Sequence, residues 1–335
     1  MKLEYLKNVI IGGWQLSEGH NDNSEGLKVI ETYYKAGFRT FDCADIYTGV
    51  EALLGTFIRT HGLGADDIHV HTKYVPDITS LASLDKARTE AIIDRSREHL
   101  GLETLDLVQF HWWDYSSGNY LATLDSLHDL KRAGKLREIG LTNFDAAHLE
   151  EILARGIPVA SIQTQYSVLD RRATERLGSL LLENDIALLC YGSVAGGLLS
   201  DAYLGKPEPQ APLENRSLVK YLLIVEEIGG WDALQAILET LKEVADANGT
   251  DIATLASAYC LGQPAVWACI VGARNVKHLN EHVRLRDGVE LSADEVAKIE
   301  TVRQQFKPVP GSVYELERDA KGKHGRIMKY TLNEG

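Results

Sequence analysis

A closed parallel (β/α)8 barrel is the fold class that this sequence predicts, on three observations. Short apolar, strand-like runs alternate with amphipathic, helix-like segments along the whole chain. The length of 335 residues is long for an ordinary domain and normal for one such barrel. Ionisable residues also close three successive strand-like runs. Asp42 ends FRTFD and is followed by Tyr47, Lys73 ends IHVHTK, and His111 ends LDLVQFH. On a parallel barrel these strand ends share one mouth.

The elements follow in order. NVIIGG reads as the first strand, and residues from about Asn23 to Ala36 as a helix with Leu27, Ile30, Tyr33 and Tyr34 on one face. Phe38 to Asp42 is the second strand and Glu51 to Thr60 its helix, with Gly49 marking the turn between them. His69 to Lys73 is the third strand, followed by a helix from about Ser83 to Leu100. Asp106 to His111 is the fourth, and its helix, Tyr120 to Ala133, stops at Gly134 as a C-terminal cap. Arg137 to Asn143, Val159 to Gln165, Ile186 to Ser193 and Trp267 to Gly272 supply strands five to eight, with helices between. The whole chain, 1–335, reads as a single domain. Three segments exceed the usual short connections: Trp112 to Asn119, Gly196 to Gly230 with its KPEPQAP, and a tail from Phe306 onward. Long loops on a barrel tend to carry function, so all three are expected over the C-terminal mouth. The tail is rich in charge, and disorder is expected at its end.

Composition narrows the function classes. At 44% hydrophobic the chain can bury a large core, and no apolar run reaches membrane-spanning length. MKLEYLKNV lacks a signal-peptide pattern. A formal charge of −13 argues against nucleic acid or anionic membranes as partners. Cys43, Cys190, Cys260 and Cys269 show no CxxC pair and no zinc spacing, so a reduced, cytoplasmic protein is expected. His69 and His71 alternate with Lys73 on one strand face, as in some barrel metal sites. No second set of ligands accompanies them, so no metal is expected.

Asp42, Tyr47, Lys73 and His111 together suggest a proton-delivery unit. Tyr47 is the acid, Lys73 can favour its anion, Asp42 can hold the ammonium, and His111 can orient a carbonyl. Each residue alone is more often structural, and the set is what argues for function. In order and interval they match the D-x4-Y, lysine and histidine tetrad of the aldo-keto reductase superfamily, which the chain resembles from IIGGWQL to IVGARN. The resemblance implies NAD(P)H-dependent reduction of aldehydes and ketones, or the reverse oxidation of an alcohol or sugar. In that family a Glu at the His111 position accompanies reduction of carbon–carbon double bonds, so histidine implies a carbonyl substrate.

The resemblance also implies a cofactor site, with no GxGxxG involved. Thr142, Asn143 and Gln163 match residues that hold the nicotinamide amide, and Tyr191 matches the aromatic residue that stacks on its ring. Gly192, Ser193, Val194, Ala195, Gly197 and Leu198 resemble the segment that cradles the pyrophosphate with backbone amides. Gly272, Ala273, Arg274 and Asn275 are expected to open a helix at the adenosine end, where Arg274 suits a 2′-phosphate. Glu281 is kept, whereas His278 stands where Arg or Gln is frequent and His282 where Asn usually contacts adenine. NADP(H) is the expected cofactor, with NAD(H) as the alternative. Trp14 is expected beside the cofactor and, with Trp112, Trp113 and Tyr115, along an apolar substrate pocket to which Tyr314 of the tail can add. Two rivals remain: a non-catalytic cofactor-binding sensor and a metal-dependent hydrolase.

Overall fold

The computed structural model describes residues 8–17, 23–213 and 216–332. Eight parallel strands close in chain order: β1 Asn8–Gly12, β2 Thr40–Asp42, β3 His69–Tyr74, β4 Leu105–Phe110, β5 Leu136–Thr142, β6 Ser161–Gln165, β7 Ala187–Tyr191 and β8 Val266–Gly272. The first six helices alternate with the strands: α1 Asn23–Lys35, α2 Val50–His61, α3 Lys86–Leu100, α4 Tyr120–Arg132, α5 Ala146–Ala154 and α6 Arg176–Asn184. Between β7 and β8 lie α7 Arg216–Ile228, α8 Trp231–Ala247 and α9 Ile252–Leu261. After β8 come α10 Leu279–Asp287, α11 Ala293–Arg303 and the short α12 Glu315–Arg318. The architecture is the expected (β/α)8 barrel. Among the described residues no helix is long and apolar enough to cross a membrane.

Strand parity decides what the barrel holds, because successive side chains face opposite sides. Val70, Val108, Phe110, Ile139, Leu141, Ile162 and Leu188 face outward and belong to the main core under the helices. Ile10, Leu107, Ala187, Leu189 and Ala268 face inward and form a separate apolar floor. One inward step towards the C-terminal ends, Leu107 gives way to Gln109, while the small Ser161 and Thr40 give way to the larger polar Gln163 and Asp42. Gly140 lies at this level. A Cβ there would meet Ser161 Oγ at 2.8 Å and Gln109 Cγ at 3.1 Å, so glycine leaves the room that the Gln109 side chain fills.

Two connections differ from expectation. The Gly196 to Gly230 segment is not all loop, because its second half is α7. Its apolar residues Leu218, Tyr221, Ile224, Val225 and Ile228 are all buried, and the prolines that read as loop lie upstream of it. The tail is also packed as far as Leu332, while 333–335 lie outside the described residues. It crosses the C-terminal mouth. Lys307 N–H bonds Ile228 O at 3.2 Å at one end, and Ile78 N–H bonds Tyr330 O at 3.0 Å at the other.

Candidate active site

Asp42 ends β2, and its carboxylate is saturated by three donors. Lys73 Nζ lies 2.5 Å from Oδ2, while Gln109 Nε2 at 2.9 Å and Gln163 Nε2 at 2.6 Å reach Oδ1. Lys73 also donates to Cys43 O at 2.8 Å. Both ions are buried, so the pair stands in a low-dielectric setting where each ion depends on the other. Burial would pull the ammonium down, but the Asp42 carboxylate opposes it by charge and by hydrogen bond, and Lys73 stays above the ordinary lysine range.

Tyr47 lies in the β2–α2 loop with the Lys73 ammonium 4.8 Å from its ring centre and the Trp14 ring 5.0 Å away, edge to face. Burial raises the phenol above its usual value, and Lys73 offsets this only in part. The expected lowering by Lys73 therefore exists but does not win. The phenol stays protonated at neutral pH, as a proton donor must.

His111 follows β4 on the inward parity of Gln109. Its Nδ1 lies 3.1 Å from Thr142 O. A carbonyl oxygen only accepts, so Nδ1 carries the proton. Nε2 has no hydrogen-bond partner among the described residues. Burial, aided by the Arg318 charge, pulls the imidazole down to about 3, against the opposing bond to Thr142. Neutral His111 thus presents a lone pair at Nε2, which cannot donate to the carbonyl that His111 was expected to orient.

The aromatic residues divide by parity. Trp113 meets His111 edge to face at 4.3 Å, and Tyr314 does so at 5.6 Å. Trp112 points the other way and is no pocket wall. It is fully buried against Phe110 and Tyr120, with its indole N–H on Asp114 O at 2.9 Å. Tyr115 stacks on His148 at 3.4 Å and accepts from Arg318 Nη2 at 2.9 Å, which places it behind the mouth.

The expected cofactor residues also fall near this end. Tyr191 donates to Asn143 Oδ1 at 2.9 Å, and Lys220 Nζ lies 4.8 Å from the Tyr191 ring centre. Thr142 uses its carbonyl on His111, and the Gln163 amide turns inward to Asp42 and Gln109. In the loop after β7, the N–H groups of Ala195, Gly197 and Leu198 bond within the loop, so they are not the open cradle expected. Ser193 Oγ bonds Ser257 Oγ at 2.9 Å. Gly192 is needed: its φ is 75°, and a Cβ would collide with Tyr221 Oη. Val194 leads into this turn and Leu198 is buried.

After β8, Gly272, Arg274 and Asn275 do not open a helix directly. Asn275 Oδ1 accepts from Lys277 N–H at 3.0 Å, and α10 starts only at Leu279. His278 caps that helix, its ring 4.0 Å from Glu281. His282 bonds Tyr33 Oη at 2.9 Å, and burial brings its imidazole to about 4. A cavity of about 360 Å³ opens here, lined by Asp201, Thr250, Asp251, Asn280, Glu281 and Arg284. Glu281 Oε2 is buried without a hydrogen-bond partner among the described residues.

Sequence reasoning missed Gln109, Lys220 and Arg318. Gln109 was within reach, two residues before His111 on the same strand face.

One mouth of this parallel barrel thus gathers a lysine–aspartate pair, a phenol and a neutral imidazole. The model of the aldo/keto reductase family matches residues 8–304, and the chain belongs to that family. It is 32% identical over 251 residues to flagellar radial spoke protein 5 of Chlamydomonas reinhardtii, covering 64% of this chain and 47% of that protein. The chain thus spans about half the length of that relative. It is 27% identical to the chloroplastic pyridoxal reductase of Arabidopsis thaliana, over 88% of this chain and 79% of that one. The glycerol dehydrogenase structure from Gluconobacter oxydans shares the fold with a TM-score of 0.76 at 21% identity, covering 91% of this chain and 93% of that one.

Proposed function

We propose that this protein transfers hydride between NADP(H) and an aldehyde or ketone, or the corresponding alcohol, with Tyr47 as the acid and base. The observation that carries this reading is the meeting of the Tyr47 phenol, the buried Lys73–Asp42 pair and the bare His111 Nε2 at one strand-end level. The dinucleotide, when bound, supplies or takes the hydride. Tyr47 supplies the proton to the carbonyl oxygen. Lys73 lowers the cost of the phenolate that remains, and Asp42, fixed by Gln109 and Gln163, holds Lys73 in place. In the reverse direction the phenolate takes the hydroxyl proton. His111 Nε2 accepts from a neighbouring hydroxyl group of the substrate, because the reacting hydroxyl gives its single proton to the Tyr47 phenolate.

The residues present fit a dinucleotide. Glu281 Oε2 is an orphan acceptor beside a cavity, which suits the adenine amine. Tyr191 and Asn143 would hold the nicotinamide end. Asp201, Asp251 and Glu281 make the cavity itself acidic, so a 2′-phosphate fits outside it, on the exposed Arg274. We assign the NADP(H) preference to that residue. The charge of −13 and the four free, buried thiols support small-molecule chemistry in the cytoplasm over nucleic-acid or membrane partners. The test is cofactor oxidation with a panel of aldehydes and ketones, run with NADPH and with NADH. Turnover with NADPH supports the reading, and no turnover on any carbonyl or alcohol with either cofactor removes it.

A further inference from the structure

Arg318, the last residue of α12, brings a cation to the mouth beside His111. Its Nη2 donates to Asn143 O at 2.7 Å, Tyr115 Oη at 2.9 Å and Trp112 O at 3.2 Å. Its Nη1 reaches only Val313 O and Tyr314 O, each at 3.5 Å. Its Nε is enclosed and has no partner among the described residues. Every acceptor is neutral. The neighbouring carboxylates are committed elsewhere: Glu317 to Arg172 at 3.3 Å, and Asp145 to His148 at 2.8 Å.

Burying a charge is costly unless a counter-charge comes with it. In a chain of net charge −13, a half-buried guanidinium whose acceptors among the described residues are all neutral is an exception that needs a reason. We propose that Arg318 reads an anionic group on the substrate, so that the preferred carbonyl compounds carry a carboxylate. This rests on the carbonyl reduction proposed above. The location fits the role. Arg318 lies over Tyr115 at 4.5 Å and Tyr314 at 5.3 Å, and Tyr314 itself touches His111. Its charge is felt at the His111 imidazole. A carboxylate would add an opposite charge and a bidentate partner to a guanidinium that now bonds only neutral oxygens.

The test compares 4-oxobutanoate with butanal, which have the same carbon chain and differ in the carboxylate. In the wild-type protein kcat/KM should favour 4-oxobutanoate by about ten- to a hundredfold, the scale of one charged hydrogen-bonded contact. In Arg318→Met that ratio should fall to near one, and Arg318→Lys should keep part of it. A ratio near one in the wild type overturns the proposal, as does a preference that survives in Arg318→Met. If neither aldehyde is reduced, the carbonyl-reductase reading itself has failed. Arg318 is then judged by tryptophan fluorescence, with Trp113 as reporter. Tighter binding of butyrate than of butanamide, lost in Arg318→Met, supports the anion site, and equal binding overturns it.

Discussion

His111 donates its Nδ1–H to the carbonyl oxygen of Thr142 across 3.1 Å, which leaves Nε2 holding a lone pair in the barrel mouth. The imidazole is neutral because burial and the Arg318 charge bring it to about 3. Its protonation therefore does not change across the physiological range. The pH profile of kcat/KM should show no inflection from His111 between about pH 5 and 8, where an ordinary histidine titrates. Comparing the profile with that of His111→Gln checks this. An inflection near pH 6.5 that vanishes in the variant would contradict the lowered imidazole.

The same burial shapes stability. His71 and His111 are brought to about 3 and His282 to about 4, by desolvation first in each case. A histidine whose folded pKa lies below its unfolded value of roughly 6.5 binds more protons when unfolded. Its stabilisation is complete above about pH 6.5 and is lost as pH falls towards 3 to 4. The slope is up to about 1.4 kcal/mol per pH unit for each group. Urea midpoints at about pH 7.5, 6 and 5 should fall in that order, less steeply in His282→Gln. A flat series would contradict it.

Lys73→Met should strongly impair catalysis and leave the Asp42 carboxylate with only the Gln109 and Gln163 amides. Removing one member of a buried pair costs on the order of 3 kcal/mol. Asp42→Asn should be milder, because Cys43 O still accepts from Lys73. Activity and denaturant midpoints of the two variants measure this order. Normal activity in Lys73→Met would remove the lysine from the mechanism.

Arg274→Ala tests the cofactor reading. The 2′-phosphate is the only difference between the two dinucleotides, and a charge-assisted contact to it is worth roughly 1.5–3 kcal/mol, about ten- to a hundredfold. NADPH binding should weaken by that factor while NADH binding barely moves. Equal weakening of both would make Arg274 a support for the loop after β8.

The barrel was legible in the sequence because its strands are short apolar runs closed by polar residues, and the same ends named Asp42, Tyr47, Lys73 and His111. The misreadings have local causes. Trp112 adjoins His111 in sequence, yet one step along a strand reverses the side chain, so it belongs to the outer core. The amides after β7 read as an open cradle, but their turn bonds are set by tertiary packing against Tyr221. The helix after β8 starts late because Asn275 first makes a side-chain turn. Arg318 reaches the site from more than 170 positions away from its acceptor Asn143, and no local pattern records such a contact.

The central claim is that the Tyr47 phenol delivers the proton. The direct measurement is hydride transfer in a single turnover with bound NADPH and a reactive aldehyde, for the wild type and for Tyr47→Phe, with the cofactor Kd measured on both. The variant should bind NADPH nearly as the wild type does and transfer hydride about 10²–10⁴ times more slowly, the usual scale for loss of a general acid. Wild-type turnover in Tyr47→Phe would contradict the account.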